Sequence, residues 1–351
     1  MNYATISRNI LRLGFLAAVS MAMGTGCESR FPVLDGRVMA ISRSEAPLTA
    51  ADPRYPTTLQ IQWLGTACHL IQLGDAVIFT DPYFTHFSLL RVAFGTLASD
   101  PQLVSRKTQD LPKPQAIFVG HSHYDHILDL PESMRQRNWF DVPVLGSTTT
   151  QNVLLSYGTD IGASFRSVVA DETAQQVPGA GFTYRAYDSE HAPHIDGILL
   201  YPGRLEHPRS APPTRATHFP VGDVYTFLFE LTGGDVNQPA RFTVFFAGAA
   251  STPPRGLPTT SVAPVDVAIL CVPGWRNVQG YPAEFIRQLR PRYILLTHFD
   301  DFFEESETES EVVLTADLEG FIDEAQRAAY YPEFEAILVP AVDAVMLFAD
   351  Y

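Results

Sequence analysis

Cysteine is scarce. The 351 residues contain three, Cys27, Cys68 and Cys271, too few for a disulfide framework to hold a chain of this size. Basic charge is also in short supply, with 24 Lys and Arg against 39 Asp and Glu and a net charge of −15. That balance argues against nucleic acid as a partner, because such binding rests on Lys and Arg meeting phosphates. No apolar run after the first 26 residues approaches the roughly 20 residues that span a bilayer, and no internal repeat or long flexible linker divides the chain. What remains is an apolar sequence, 46% hydrophobic and 18% charged, able to bury a large core, so a globular enzyme is the default expectation. Cys68 and Cys271 each lie in an apolar, strand-like run and read as small core residues.

The N-terminus differs from the rest. Arg8 and Arg12 precede the apolar stretch 13–19, and Gly24, Thr25 and Gly26 follow, the pattern of a secretory signal. Cys27 comes directly after, so residues 1–26 resemble a bacterial lipoprotein signal, in which the cysteine is lipidated and becomes the new N-terminus. Gly24 departs from that pattern, which usually has Leu three residues before the cysteine. The expectation is a signal over 1–26, a proline-containing tether over 27–57 and an ordered domain over 58–351. The protein would then sit in the bacterial cell envelope, anchored to the membrane by Cys27 or free in the periplasm or medium. Removing the signal takes away two positive charges and leaves a net charge of about −17.

Apolar residues and turn signals predict strands over 59–64, 68–73 and 76–80, separated by Gly65-Thr66 and Gly74-Asp75, which makes a meander. Further strands are expected at 116–119, 142–145, 165–169, 182–188, 224–231, 242–246, 267–271, 294–297, 336–339 and 344–348. Helical periodicity appears over 148–157, 282–289 and 316–328. Two strand-rich halves, each with helices, suit two sheets flanked by helices, although pattern alone does not separate this from other α/β layers. The proline-rich stretch 202–220 reads as a long loop, a lid or rim.

The chemistry concentrates after the strand at 116–119. His121, His123, Asp125 and His126 fall within six residues, a density costly to bury without a cation or extensive hydrogen bonding. On a turning backbone His121 and His123 can face one ion while Asp125 and His126 face a second, and imidazole and carboxylate are the usual zinc ligands.

The run His121-Ser122-His123-Tyr124-Asp125-His126 matches residue for residue the His-x-His-x-Asp-His motif of the metallo-β-lactamase superfamily, which the chain resembles over most of residues 59–348. With Trp63-Leu64-Gly65-Thr66-Ala67 and Phe79-Thr80-Asp81-Pro82-Tyr83-Phe84, it looks closest to the branch containing N-acyl-phosphatidylethanolamine phospholipase D and the L-ascorbate-6-phosphate lactonases. The resemblance implies an α+β, four-layer αββα sandwich. It also implies a third imidazole for the first metal, His191, with His194 as its competitor or a substrate contact, and His298 as the ligand that joins Asp125 and His126. Asp81 is expected either to orient a ligand histidine or the loop, or to cap a turn.

The resemblance implies a hydrolase in which a metal-activated water attacks an ester, lactone, amide or phosphodiester of a small molecule or lipid. His121, His123 and His191 would hold the ion, and Asp125 would orient or deprotonate the water. Zinc is the expected metal, as one or two ions, with iron or manganese as alternatives. One departure stands out: Ala249, after Phe246-Ala247-Gly248, occupies the place of an aspartate that bridges two ions in the family. The second ion should then bind weakly, be absent, or borrow a carboxylate such as Asp300 or Asp301. The rival expectation is a catalytically impaired metal-binding lipoprotein serving as a scaffold. The acidic run 300–311, with seven carboxylates, reads as a solvated loop that would disfavour anionic substrates if it lined the rim.

Overall fold

The computed structural model describes residues 37–41, 46–195, 197–235, 238–304, 312–313 and 316–349. The signal over 1–26 and Cys27 lie outside the described residues. In chain order the strands are β1 (Val38–Ile41), β2 (Thr58–Gly65), β3 (Cys68–Leu73), β4 (Ala76–Thr80), β5 (Ala116–Phe118), β6 (Val144–Gly146), β7 (Phe165–Ser167) and β8 (Gln175–Gln176). They continue with β9 (Phe182–Ser189), β10 (Val224–Asp235), β11 (Gln238–Ala247), β12 (Val267–Cys271), β13 (Tyr293–Thr297), β14 (Ala336–Pro340) and β15 (Val345–Ala349). One sheet runs β15-β2-β3-β4-β5-β6-β7 and the other β1-β14-β13-β12-β11-β10-β9-β8.

The period-2 pattern of the meander decides which face goes where. Ile61, Trp63, Ile71, Ile78 and Phe118 point to one side and join Phe227, Phe229 and Phe245 of the other sheet in one core. The alternate residues Leu70, Val77, Phe79 and Ile117 point outward. There they meet α2 (Pro101–Thr108), α4 (Leu130–Arg137) and α5 (Thr148–Leu155) through Val104, Met134 and Leu154. The second sheet is covered on its outer face by α6 (Ala283–Leu289) and α7 (Leu318–Ala328), whose Phe285, Ile286, Phe321 and Ala325 are buried. The order is helix, sheet, sheet, helix, the four-layer α+β sandwich. Cys68 and Cys271 are free and buried, as their surroundings predict.

Two expectations need correction. Part of the stretch read as a tether belongs to the fold, because β1 adds a parallel edge strand to β14, with Val38 opposite Ile337. Four residues without alternation gave no strand signal. Four short helices also went unread: α1 (Leu89–Phe94), α2, α3 (Tyr124–Ile127) and α4. None exceeds eight residues, too short for apolar periodicity to emerge.

Strand direction places the chemistry. β4 and β5 are parallel, so Asp81 and the 121–126 run leave their sheet at one end. In the partner sheet β11, β12 and β13 are parallel, and β9, antiparallel to β10 as β10 is to β11, runs the same way. Ala249, His298 and His191 therefore leave the ends of β11, β13 and β9 together. The Tyr225 N–H donates to Gly120 O at 2.9 Å and ties this edge of the two sheets.

Candidate metal centre

After β5 the chain bends at Gly120 and reaches His123, which precedes the first turn of α3 with φ −63° and ψ 155°. His121 and His123 thus leave non-helical backbone, while Asp125 and His126 lie on the helical turn and are redirected by it. His121, His123, His126 and His298 are each at most 5% exposed. His121, His123 and His191 bring ligand atoms within 4.8 Å of one another, and Asp125, His126 and His298 do the same. The rings of His121 and His126 are 3.8 Å apart, so the two groups adjoin.

The spacings within each group suit a shared cation. His121 Nε2 lies 3.2 Å from His123 Nδ1, His298 Nε2 3.3 Å from His126 Nε2, and His298 Nε2 3.4 Å from Asp125 Oδ2. Tetrahedral ligands at about 2.0–2.1 Å from zinc sit roughly 3.3 Å apart. His191 donates Nδ1–H to Ala192 O at 2.6 Å, which leaves Nε2 as an acceptor facing the group. His126 donates Nδ1–H to Asp81 Oδ2 at 2.8 Å, leaving its Nε2 lone pair facing His298. Asp125 to His126 is longer, at 4.0 Å.

Charge separates the two groups. Burial, then neighbouring imidazoles, push His121 and His191 well below the ordinary histidine range. Burial brings His123 down to about 3. These rings are neutral and ready to donate lone pairs. Burial opposes charge on His126 too, but the Asp81 carboxylate outweighs it and raises His126. Burial would raise Asp125, yet the hydrogen bond from His298 and the nearby His126 and His123 hold it well below the usual carboxylate range. Asp125 is therefore an anion.

Asp81 accepts from both a histidine of the run and the backbone that precedes it. Besides His126, its Oδ1 accepts the Gly120 N–H at 2.7 Å. Glycine is required beside it: a Cβ at Gly248 would come within 2.7 Å of Asp81 Oδ2. The Trp63-Leu64-Gly65-Thr66 run supports the other end of the site. Thr66 O accepts the His298 N–H at 2.9 Å, Trp63 Nε1–H at 2.8 Å and Thr297 Oγ1–H at 2.7 Å. Thr66, Asp81 and His298 all hold positive φ, 49°, 38° and 64°, a strain of order 1–3 kcal/mol each that surrounding bonds must maintain.

Asp300 lies outside both ligand groups. It is buried, and both carboxylate oxygens accept the Thr66 N–H, at 3.0 and 2.9 Å. Asp301 Oδ1 accepts the Phe303 N–H at 2.9 Å. Ala249 is buried after β11, and the adjoining Ala250 O accepts the Ala192 N–H at 2.8 Å, so this segment lies against the His191 turn. His194 stands outside both ligand groups, stacked on His191 with ring centroids 4.6 Å apart.

Two neighbours escaped sequence reasoning. Tyr201 meets His123 edge-on at 6.2 Å, and Phe302 meets His298 at 4.9 Å. A lone aromatic in a loop carries no signal of this. The loop that presents Tyr201 is fastened to the histidine run: Ser122 N–H donates to Val221 O and Val221 N–H to Tyr201 O, both at 2.9 Å. Tyr201 and Val221 flank the stretch 202–220 read as a lid or rim, so its two ends meet beside the histidine run.

Residues 60–298 match a model described as the β-lactamase superfamily domain. Among solved structures the chain is similar to Igni18, a metallo hydrolase from the hyperthermophilic archaeon Ignicoccus hospitalis, at 14% identity over 84% of this chain and 100% of that one, with a TM-score of 0.47. It is similar to the metallo-β-lactamase fold protein YhfI from Bacillus subtilis at 14% identity over 83% and 100%, TM-score 0.48. An isothiocyanate hydrolase from Delia radicum gut bacteria gives 13% identity over 83% and 100%, TM-score 0.48.

Proposed function

This chain belongs to the β-lactamase superfamily, and from that membership and its histidine-rich potential metal site we propose a metal-dependent hydrolase acting on an ester, lactone, amide or phosphodiester. The observation that carries the reading is the convergence of His121, His123 and His191 beside Asp125, His126 and His298. The neutral donor set fits zinc. A divalent ion on the first three would supply Lewis-acid polarisation and a lowered pKa for an attacking water. Asp125 Oδ2, held as an anion 3.4 Å from His298 Nε2, orients that water or accepts its proton. His126 and His298 hold a second ion or, without one, stabilise charge on the substrate. Tyr201 and Phe302 narrow access of bulk water.

Occupancy is proposed to be one tight ion and at most one weak one, because Ala249 offers no bridging carboxylate and Asp300 lies outside both ligand groups. The Trp63–Ala67 and Phe79–Phe84 runs support a place near the N-acyl-phosphatidylethanolamine phospholipase D and L-ascorbate-6-phosphate lactonase branch. The signal-like N-terminus supports a lipidated Cys27, an envelope location, and a small-molecule or lipid substrate met at the membrane surface or in the periplasm. Ala249 is also the single observation favouring a catalytically impaired, metal-binding scaffold.

Elemental analysis of the purified chain, combined with ester, lactone, amide and phosphodiester panels, separates these readings. We expect about one zinc per chain and chelator-sensitive turnover on at least one panel. Metal without turnover on every panel would favour the scaffold, and absence of metal would sink both.

A further inference from the structure

His191 and His194 lie nearly parallel, 15° apart, yet the backbone fixes them in opposite tautomers. A carbonyl oxygen only accepts, so the contact from His191 Nδ1 to Ala192 O places the proton on Nδ1 and leaves a lone pair on Nε2. An amide N–H only donates. The 3.1 Å contact from Leu200 N to His194 Nδ1 therefore puts the lone pair on Nδ1, and the neutral ring carries its proton on Nε2. The first arrangement suits a metal ligand. The second has no free lone pair to give.

We propose that His194 is a catalytic hydrogen-bond donor, whose Nε2–H binds the substrate oxygen on which negative charge develops beside His121, His123 and His191. This rests on the hydrolytic reading above and deepens it. The ring of His194 is 5.5 Å from that of His123 and 4.6 Å from that of His191, within reach of anything bound at the first group. Its backbone is fixed as well: His194 N–H donates to Ile198 O at 2.9 Å, and Ile198 N–H to Ile195 O at 2.7 Å. A donor oriented before substrate arrives costs little reorganisation when charge appears, the condition under which such donors are most effective.

The rival role for His194 is a structural cap on the Leu200 N–H. Two substitutions separate cap from donor. In His194→Asn the side-chain oxygen can take the place of Nδ1 and keep the cap, with nothing at the Nε2 position. In His194→Gln the amide nitrogen reaches the donor position and the cap is given up. With p-nitrophenyl acetate and bis(p-nitrophenyl) phosphate as probes, His194→Asn should lower kcat by about 10²–10³-fold at unchanged zinc content and thermal midpoint, while His194→Gln stays within about tenfold of wild type. The reverse ranking would overturn the proposal.

A second measurement does not depend on turnover. Long-range ¹H–¹⁵N spectra of the zinc-loaded full chain should show Nε2–H on His194 and Nδ1–H on His191; Nδ1–H on His194 would overturn the donor assignment even in an active enzyme. A wild-type chain that hydrolyses nothing, with Nε2–H on His194, overturns the catalytic role through failure of the hydrolase reading and leaves the tautomer argument standing.

Discussion

The two halves of the metal centre are built on opposite principles. His121, His123 and His191 are three imidazoles that burial keeps neutral, and His191 is oriented by a backbone carbonyl. Asp125, His126 and His298 include an anion, and His126 is oriented by the Asp81 carboxylate. Neutral ligands leave a cation's charge uncompensated and so suit polarisation of a water or carbonyl. Carboxylates reduce that effective charge but bind the cation more firmly. Under the proposed function the first half would supply activation and the second charge management, and Ala249 would be a weakened link between halves rather than loss of the reactive one.

The largest effect should come from breaking the first half. His191→Ala should abolish its ion and lower turnover by about 10³-fold or more, since Lewis-acid stabilisation amounts to several kcal/mol. His298→Ala should lower turnover less, by about 10–100-fold, at retained first-half metal. Metal analysis and kinetics on both variants, with melting curves to confirm folding, decide the matter. Equal loss of metal and activity in the two would mean the halves are not separable.

Next in size is Asp81→Asn. Asp81 Oδ1 accepts from Gly120 and Oδ2 from His126. If the asparagine oxygen keeps the Gly120 N–H, its amide group faces His126 Nδ1 and demands a lone pair there, which moves the imidazole proton to Nε2 and removes a ligand. Second-half metal affinity should fall about 10–100-fold with first-half affinity little changed, measured by titration of stripped protein with zinc. Unaltered binding in both halves would show that Asp81 supports the loop rather than the metal.

These residues differ in how far the sequence exposes them. The meander was legible because its apolar runs are separated by Gly65-Thr66 and Gly74-Asp75, and the structure buries Ile61, Ile71 and Ile78 in the core between the sheets. α2 carried a local signal that periodicity overlooked: Asp100 accepts from the Gln102 and Leu103 N–H groups, with Pro101 at the first helical position. β1 had no such signal, since its pairing with β14 spans almost the whole chain. In the site, the 121–126 run announced itself by density, and His191 was preferred to His194 as the ligand, whereas the backbone groups that meet each Nδ1 could not be read from spacing. The commitment of Asp300 to Thr66, more than two hundred residues away, was equally invisible.

A smaller effect, on stoichiometry, should follow from restoring the missing link. Ala249→Asp should raise zinc content from about one toward two per chain, because a bridging carboxylate offsets repulsion between ions about 3.5–4 Å apart. Zinc content unchanged in the variant would place residue 249 away from the ions.

The smallest effect sharpens the comparison through pH, in chain stripped of metal. An unfolded histidine titrates near about 6.5. Burial depresses His123 to about 3 and His121 and His191 well below their ordinary value, so below the unfolded pKa the unfolded state binds more protons. Their contribution to stability is complete above about 6.5 and is lost as pH falls toward about 3. His126 has the opposite sign: raised by Asp81, its contribution is complete below about 6.5 and is lost as pH rises through its folded value. Between about pH 7.5 and 5.5, above most carboxylate titrations, the melting temperature of stripped wild type should decline on acidification, because these three rings, joined by His69 and His194, which burial also depresses, outweigh one. His123→Asn should flatten that decline and His126→Asn should steepen it. The same slope in all three proteins would remove the electrostatic distinction between the halves.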